Sequence, residues 1–376
     1  ENIIDCGEIN PLAVESLFKY RFIYDPLSIY KNVHKLQPGH IIKFTSENIK
    51  LRKWYNLNSL TNNTNNKPII HAKLRDYFDI AVKRRMISDV DLGVFLSGGL
   101  DSSLIVSSLA EQGFSLPCFT MGFQGASDYY EERPQAKRLA KYFGMEHHSF
   151  EINEKSILKK IPEILNASDE PFADTSALPF YMLSKEVSSR VKVVLSGDGG
   201  DEVFGGYRKH LGEKWSTASN MIPKFIRTII VKTLIENKNT YYGEISRRIR
   251  RFLINTYKDG SLRQAGYLEQ INADSIKKLF GVNIEHTKRL LDKHRKPFTD
   301  PINAMLAADL GFSLAGDMLV KVDRMSMANS LEVRSPFLDK DLVEYTFTLP
   351  GKLKIGNFKG KKLLKESFKN RLPSWS

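Results

Sequence analysis

The chain has 376 residues and a formal net charge of +13, and is 41% hydrophobic and 26% charged. That composition is ordinary for a globular protein with one large or two medium cores. No apolar run approaches the ~20 residues of a membrane helix, the start Glu1-Asn2-Ile3-Ile4-Asp5 lacks the stretches of a signal peptide, and two cysteines (Cys6 and Cys118) argue against a disulfide framework and for a cytoplasmic setting.

The positive charge raises nucleic acid or a membrane surface as partners. The basic residues are scattered, however. The densest groups, Lys83-Arg84-Arg85, Arg247-Arg248-Ile249-Arg250-Arg251 and Lys359-Gly360-Lys361-Lys362, lack the interleaved aromatics of a single-strand binder. Solvated faces are the better reading, with a nucleic-acid site the weaker alternative and no membrane partner.

In chain order, His40–Phe44 and Ile49–Tyr55 read as strands around Thr45-Ser46-Glu47-Asn48, with a tight turn at Gln37-Pro38-Gly39. The Asn/Thr tract from Asn58 to Lys67 has no periodicity and reads as a linker. This predicts a small β-rich piece over 1–57, a linker over 58–67 and a larger domain over 68–376. Within the latter, Leu74, Tyr77/Phe78 and Ala81/Val82 recur at helical spacing. Strand Leu92–Leu96, helix Asp101–Gln112, strand Cys118–Phe123, helix Glu132–Phe143 and strand His148–Ile152 follow. Helices at 155–165 and 178–189 lead to strand Val191–Leu195. Such alternation predicts an α/β fold with a doubly wound parallel sheet. Beyond Tyr207 the pattern reads as helix after helix to the end, a helical C-terminal region.

Two stretches carry the chemistry. Ser97-Gly98-Gly99-Leu100-Asp101-Ser102 follows a strand and opens a helix. Its glycines permit close backbone approach. The helix start adds partial positive charge, which suits a pyrophosphate. Asp101 would repel phosphate without a cation between them, so it implies Mg²⁺. The second stretch, Ser196-Gly197-Asp198-Gly199-Gly200-Asp201-Glu202, puts three more acids at a strand tip, where metal binding is the usual relief. Neither loop is a Walker or dinucleotide fingerprint. His147-His148 reads as a strand pair rather than a metal site, for want of further ligands.

These residues resemble the synthetase half of glutamine-dependent asparagine synthetases, in the superfamily of ATP pyrophosphatases with a Ser-Gly-Gly-x-Asp-Ser (PP-loop) signature. The resemblance runs from about Pro68 to Leu372. It includes Tyr130-Glu131-Glu132, Asp169-Glu170-Pro171-Phe172-Ala173-Asp174-Thr175-Ser176, Ser196 to Tyr207, Asp317 to Ala328 and Glu332-Val333-Arg334-Ser335-Pro336-Phe337-Leu338-Asp339. It implies a ligase that makes asparagine from aspartate through an aspartyl adenylate, with nitrogen from glutamine or ammonia. ATP would bind at Ser97, Gly98, Gly99, Asp101 and Ser102, with the adenine near Leu96 and Met121 and with Ser196-Gly197 beside it. Asp101 and Asp201 match the family's magnesium ligands. Asp198 matches an acid tied to forming or aminolysing the adenylate. A homodimer is left open. Lys321, Asp323, Arg324 and Arg334 are either substrate-binding or a structural network, with the structural role favoured for Asp323 and Arg324.

Residues 1–55 resemble the tail of an amino-terminal glutaminase domain, through Phe18 to Ile23 and Ile29 to His40. That domain's nucleophile is a terminal cysteine, whereas residue 1 here is Glu and Cys6 is internal. The expectation is therefore a fragment of a longer enzyme that needs added ammonium, with residues 1–55 loosely packed. Two rival enzymes remain. One is an amidotransferase or cyclase of the same superfamily acting on a sugar or peptide carboxylate. The other is an RNA-modifying ATP pyrophosphatase, which the charge favours but the lack of an RNA-binding appendage does not. A non-catalytic scaffold is the third reading.

Overall fold

The computed structural model describes residues 7–57, 66–125, 131–219, 222–233, 241–256, 258–271, 275, 278–279 and 285–375. Most of the predicted linker, together with Cys6 and Tyr130, lies outside them. Contacts divide the chain into two compact units, one of residues 1–61, 204–313 and 349–362, the other of 62–203, 314–348 and 363–376. Among the described residues no helix is long and apolar enough to cross a membrane.

The first unit begins with the helix Pro11–Tyr20, opened by the Asn10 side chain accepting from Leu12 N–H and by Pro at its first turn. Strands β1 (His40–Phe44) and β2 (Ile49–Lys53) form the antiparallel hairpin read from the sequence, pairing His40 with Lys53 and Phe44 with Ile49. The remaining elements are helices, among them Arg208–Ser219, Gly260–Leu268, Glu285–Arg295 and Pro301–Ala308.

The expectation of loose packing for residues 1–55 fails over residues 13–24. Tyr20, Phe22 and Tyr24 surround Phe312, with ring centroids 5.3, 5.3 and 5.7 Å away. Lys19 is only 1% exposed, donates to Thr287 Oγ1 at 3.1 Å and lies 3.6 Å from Glu269. Aromatic rings that can bury this much surface find it in helices distant in sequence, which local reading cannot see. The hairpin does leave Ile41, Phe44, Ile49 and Leu51 exposed.

A buried ionic network ties these helices together. Glu213 accepts from Arg263 Nε (2.7 Å) and Arg295 Nη2 (2.8 Å). Asp309 accepts from Lys209 Nζ (2.8 Å), Gln264 Nε2 (2.8 Å) and His210 Nε2 (2.7 Å). His210 Nδ1 accepts the Tyr207 N–H at 3.2 Å, which places the ring proton on Nε2. Burial opposes charge on Asp309, but Lys209 and His210 outweigh it and hold the carboxyl well below the usual range. A depressed carboxyl adds stability that is present above its unfolded pKa and is lost as pH falls through its folded one. We expect Asp309→Asn to lower stability by about 2 kcal/mol, the scale of a hydrogen bond to a charged group. The loss should vanish only well below the normal carboxylate range, as urea denaturation across pH would show.

The second unit is built on a parallel sheet of β3 (Leu92–Phe95), β4 (Cys118–Phe123), β5 (His147–Ile152), β6 (Val193–Leu195) and β7 (Glu332–Arg334), in the order β5-β4-β3-β6-β7. The central strands are buried on both faces, as their unbroken apolar runs require. Helices Leu100–Glu111 and Arg133–Tyr142 return the chain from β3 to β4 and from β4 to β5. Helices Glu154–Asn166 and Ala177–Ser188 carry it back to β6 on the other side of β3. Phe95, Phe119, Leu183, Val187 and Val194 form a core on that face.

The α/β reading and the first four strands of this sheet stand. The fifth, β7, falls inside the stretch read as continuously helical. It is three residues long and pairs Leu195 with Arg334. So short a strand has no period to detect.

Candidate nucleotide site at the switch point

The direction of winding reverses between β3 and β6, so the loops leaving their carboxyl ends are neighbours, where doubly wound sheets bind ligands. After β3, Gly98 takes φ +78°, a conformation that favours glycine. Ser97 Oγ lies 3.1 Å from Ser102 Oγ and accepts the Gly99 N–H at 3.2 Å. Ser103 Oγ donates to Gly99 O (2.7 Å), and Gln135 Nε2 to Gly98 O (2.9 Å). Gly99 is the N-cap of the helix Leu100–Glu111, and no side chain caps it. A helix start of this kind suits an anion.

After β6, Ser196 N–H donates to Arg334 O at 2.9 Å, so the unread strand β7 fixes where this loop begins. Ser196 Oγ donates to Asp198 Oδ2 at 2.7 Å. Gly199 takes φ +87°, and the short helix Gly200–Phe204 presents Asp201 in its first turn. Bare backbone brings the two loops together. A Cβ on Gly197 would lie 2.9 Å from Asp101 Cβ, and one on Gly200 would lie 2.7 Å from Asp101 Cγ. The Asp101 carboxyl therefore rests on the loop that carries Asp198 and Asp201.

Burial raises the Asp198 pKa above the ordinary aspartate value, and the Asp201 charge adds to it, while the Ser196 hydroxyl and Lys321 oppose the rise. Lys321 is 8% exposed and bonds Ser176 Oγ (2.9 Å) and Asp174 Oδ2 (3.3 Å). It thus joins the Asp174-Thr175-Ser176 stretch to the field around Asp198. Arg324 pairs with Asp169 at 2.5 Å, and Arg334 Nη1 donates to Arg85 O and Ile87 O at 2.9 and 2.7 Å.

Leu96 directly follows β3, and Met121 is the fourth of the six residues of β4. Leu96 is 1% exposed, and its N–H donates to Phe119 O. Met121 is half-buried and packs against the core. Neither lines the cavity beside the first loop. That cavity, about 800 Å³, is lined by Ser97, Gly98, Gly99, Gln135, Lys365 and Lys369 among others. The two lysines escaped the sequence reading. The signal was their spacing of four, about one helical turn; Lys365 lies in the helix Lys362–Ser367 and Lys369 in the turn just past its end.

Among the described residues no group of three or more His, Cys, Asp or Glu could hold a metal alone. Two carboxylates on touching loops fit Mg²⁺ instead, which takes one or two carboxylates plus substrate phosphates. The Cys118 thiol is buried in β4, and burial pushes its pKa up to about 12, an environment that disfavours a thiolate. Arg84 and Arg85 of one basic group pair with Asp339, and Arg84 also with Asp341. Arg251 of another donates to Tyr267 O and Glu269 O. His147 Nε2 lies 3.0 Å from Thr120 Oγ1, and His148 stacks on Phe119.

The asparagine synthase family model matches residues 73–375. Asparagine synthetase [glutamine-hydrolyzing] 1 of Bacillus subtilis is 29% identical over 97% of this chain and 57% of its own length. A putative asparagine synthetase [glutamine-hydrolyzing] 2 of Methanocaldococcus jannaschii is 36% identical over 85% of this chain and 61% of its own. The chain thus spans about three fifths of the curated relatives it matches. A family match over residues 73–375, most of the chain, makes it a member of the asparagine synthase family.

Proposed function

We propose that this chain carries out ATP-dependent formation of asparagine from aspartate through an aspartyl adenylate, with nitrogen from ammonia or glutamine. The observation that carries the reading is the meeting of a Gly-rich helix start with an acidic loop at the switch point, Asp101 resting on Gly200. The aspartate side-chain carboxylate attacks the α-phosphorus, and the bond to the β-phosphate oxygen breaks. Ammonia then attacks the acyl carbon, AMP leaves and a proton is lost. The Gly98 N–H, the start of the helix Leu100–Glu111 and the Ser97 and Ser102 hydroxyls hold the departing pyrophosphate. Lys365 and Lys369 extend that positive wall. Asp101 and Asp201 would hold Mg²⁺, which supplies charge cover for the leaving group. Ser196, Gly197, Leu96 and Met121 frame the rest of the nucleotide.

Asp198 is assigned the proton of the attacking ammonia, since a carboxyl held above the usual range is a better base near neutrality. Protonation below that raised pKa removes the acceptor, so aminolysis should decline there as pH falls. Asp198→Asn should slow ammonia-dependent turnover by roughly 10²-fold and flatten that acid limb. Pyrophosphate exchange in the same variant should persist.

In this reading residues 1–57 are the C-terminal part of a glutaminase domain, joined by 58–67 to a synthetase domain over 68–376. A family match beginning at residue 73 supports that division. The test of substrate is ATP–pyrophosphate exchange with a panel of carboxylates. Exchange is expected with aspartate. Exchange driven better by a sugar or peptide carboxylate would replace aspartate by that acceptor. Replacing Lys365 and Lys369 together by Ala should weaken ATP binding about tenfold, one charge-assisted contact's worth. Unchanged affinity would remove them from the site.

A further inference from the structure

We propose that a small cavity bounded by Lys53, Lys293 and His294 binds an oxyanion, a phosphate or a carboxylate, using none of the residues of the nucleotide loops. The cavity measures about 60 Å³. One water takes roughly 10–15 Å³ of such space, so it holds about five heavy atoms, the size of inorganic phosphate. A nucleotide does not fit.

Its walls are cationic. Lys53, at the end of β2, and Lys293, in the last turn of the helix Glu285–Arg295, both line it, with Asp25 as the acid in the wall. Lys53 Nζ donates to Asn56 Oδ1 at 2.6 Å and Lys293 Nζ to Gln37 Oε1 at 3.3 Å. Both partners are neutral, and each bond uses one of an ammonium's three protons. The two lysines act on each other. Burial lowers the Lys53 pKa, and the Lys293 charge lowers it further. An anion between them turns that repulsion into attraction.

The floor is rigid and apolar. The His294 ring lies against the bare backbone of Gly311, where a Cβ would overlap it. Phe312 and Tyr24, also in the wall, pack ring on ring at 5.7 Å. Burial and the charges of Lys293 and Lys53 bring the His294 pKa down to about 4. The imidazole is therefore neutral at pH 7 and offers a hydrogen bond rather than a third charge. An apolar floor also strengthens the attraction of the two ammonium groups for an anion.

The test uses the full chain labelled with ¹⁵N-histidine, with the His294 signal assigned by its loss in His294→Gln. Phosphate and acetate are titrated separately at constant ionic strength against chloride. The expected result is a saturable shift of the His294 signal, whose midpoint moves about tenfold or more in Lys53→Gln and in Lys293→Gln. Both lysines are exposed, so neither change threatens the fold. The anion with the lower midpoint names the ligand class. A His294 signal that stays still with both anions, or the same midpoint in both variants, overturns the site. The readout is local to His294, so its outcome is independent of the nucleotide reading.

Discussion

Asp101→Asn and Asp201→Asn should each reduce aspartate-dependent ATP–pyrophosphate exchange by at least 10²-fold. Asp101 stands in the first turn of the helix after β3, and its carboxyl rests on the loop that carries Asp201. Both acids therefore border the space where a pyrophosphate would lie. Asparagine keeps the shape of the side chain and removes its charge, so loss of exchange reports loss of the cation's anchor. Deleting one preorganised electrostatic contact to a developing charge typically costs about 3–4 kcal/mol, which sets that scale. Near-normal exchange in either variant would remove that residue from the site. Each variant should keep the unfolding profile of the unaltered chain, because Asp101 and Asp201 are partly exposed in the first turns of their helices.

Gly197→Val and Gly98→Val should abolish measurable ATP binding while leaving the sheet folded. The two fail for different reasons. At Gly197 even the first side-chain carbon would stand 2.9 Å from Asp101 Cβ and 3.3 Å from Ser102 N, so the loops must part. At Gly98 the backbone has φ +78°, which a β-branched residue adopts only under strain, and its Cβ would meet Ala136 N at 3.2 Å. Both positions lie beyond the ends of the core strands. Circular dichroism should therefore be unchanged while nucleotide titration is flat. Unchanged affinity in both variants would put the phosphate cradle elsewhere.

The two loops were legible because each couples a buried β-branched run to a glycine-acid tip, and such runs survive without tertiary context. Their adjacency was legible too, since winding out through β4 and β5 and back to β6 leaves β3 beside β6. The fifth strand was not. Glu332-Val333-Arg334 acquires strand character only by pairing with β6, yet it sets the start of the acidic loop through Ser196 N–H. Lys365 and Lys369 were hidden for a related reason. They lie far from both loops in sequence, and only the fold brings them to the wall of the first. Lys321 could be read as charged but not placed until Asp174 and Ser176 were seen around it. The packing of Tyr20, Phe22 and Tyr24 around Phe312 likewise depends on contacts nearly three hundred residues apart.

The adenylate is the central claim, and isotope transfer tests it most directly. Aspartate labelled with ¹⁸O in its side-chain carboxylate is turned over with ATP and ammonium, and the products are weighed by mass spectrometry. Attack of that carboxylate on the α-phosphorus leaves its bridging oxygen on the phosphate when ammonia takes the acyl group and AMP departs. The account predicts AMP carrying one ¹⁸O, unlabelled pyrophosphate and asparagine that keeps the other label. Unlabelled AMP, or ADP with the label in inorganic phosphate, would contradict it.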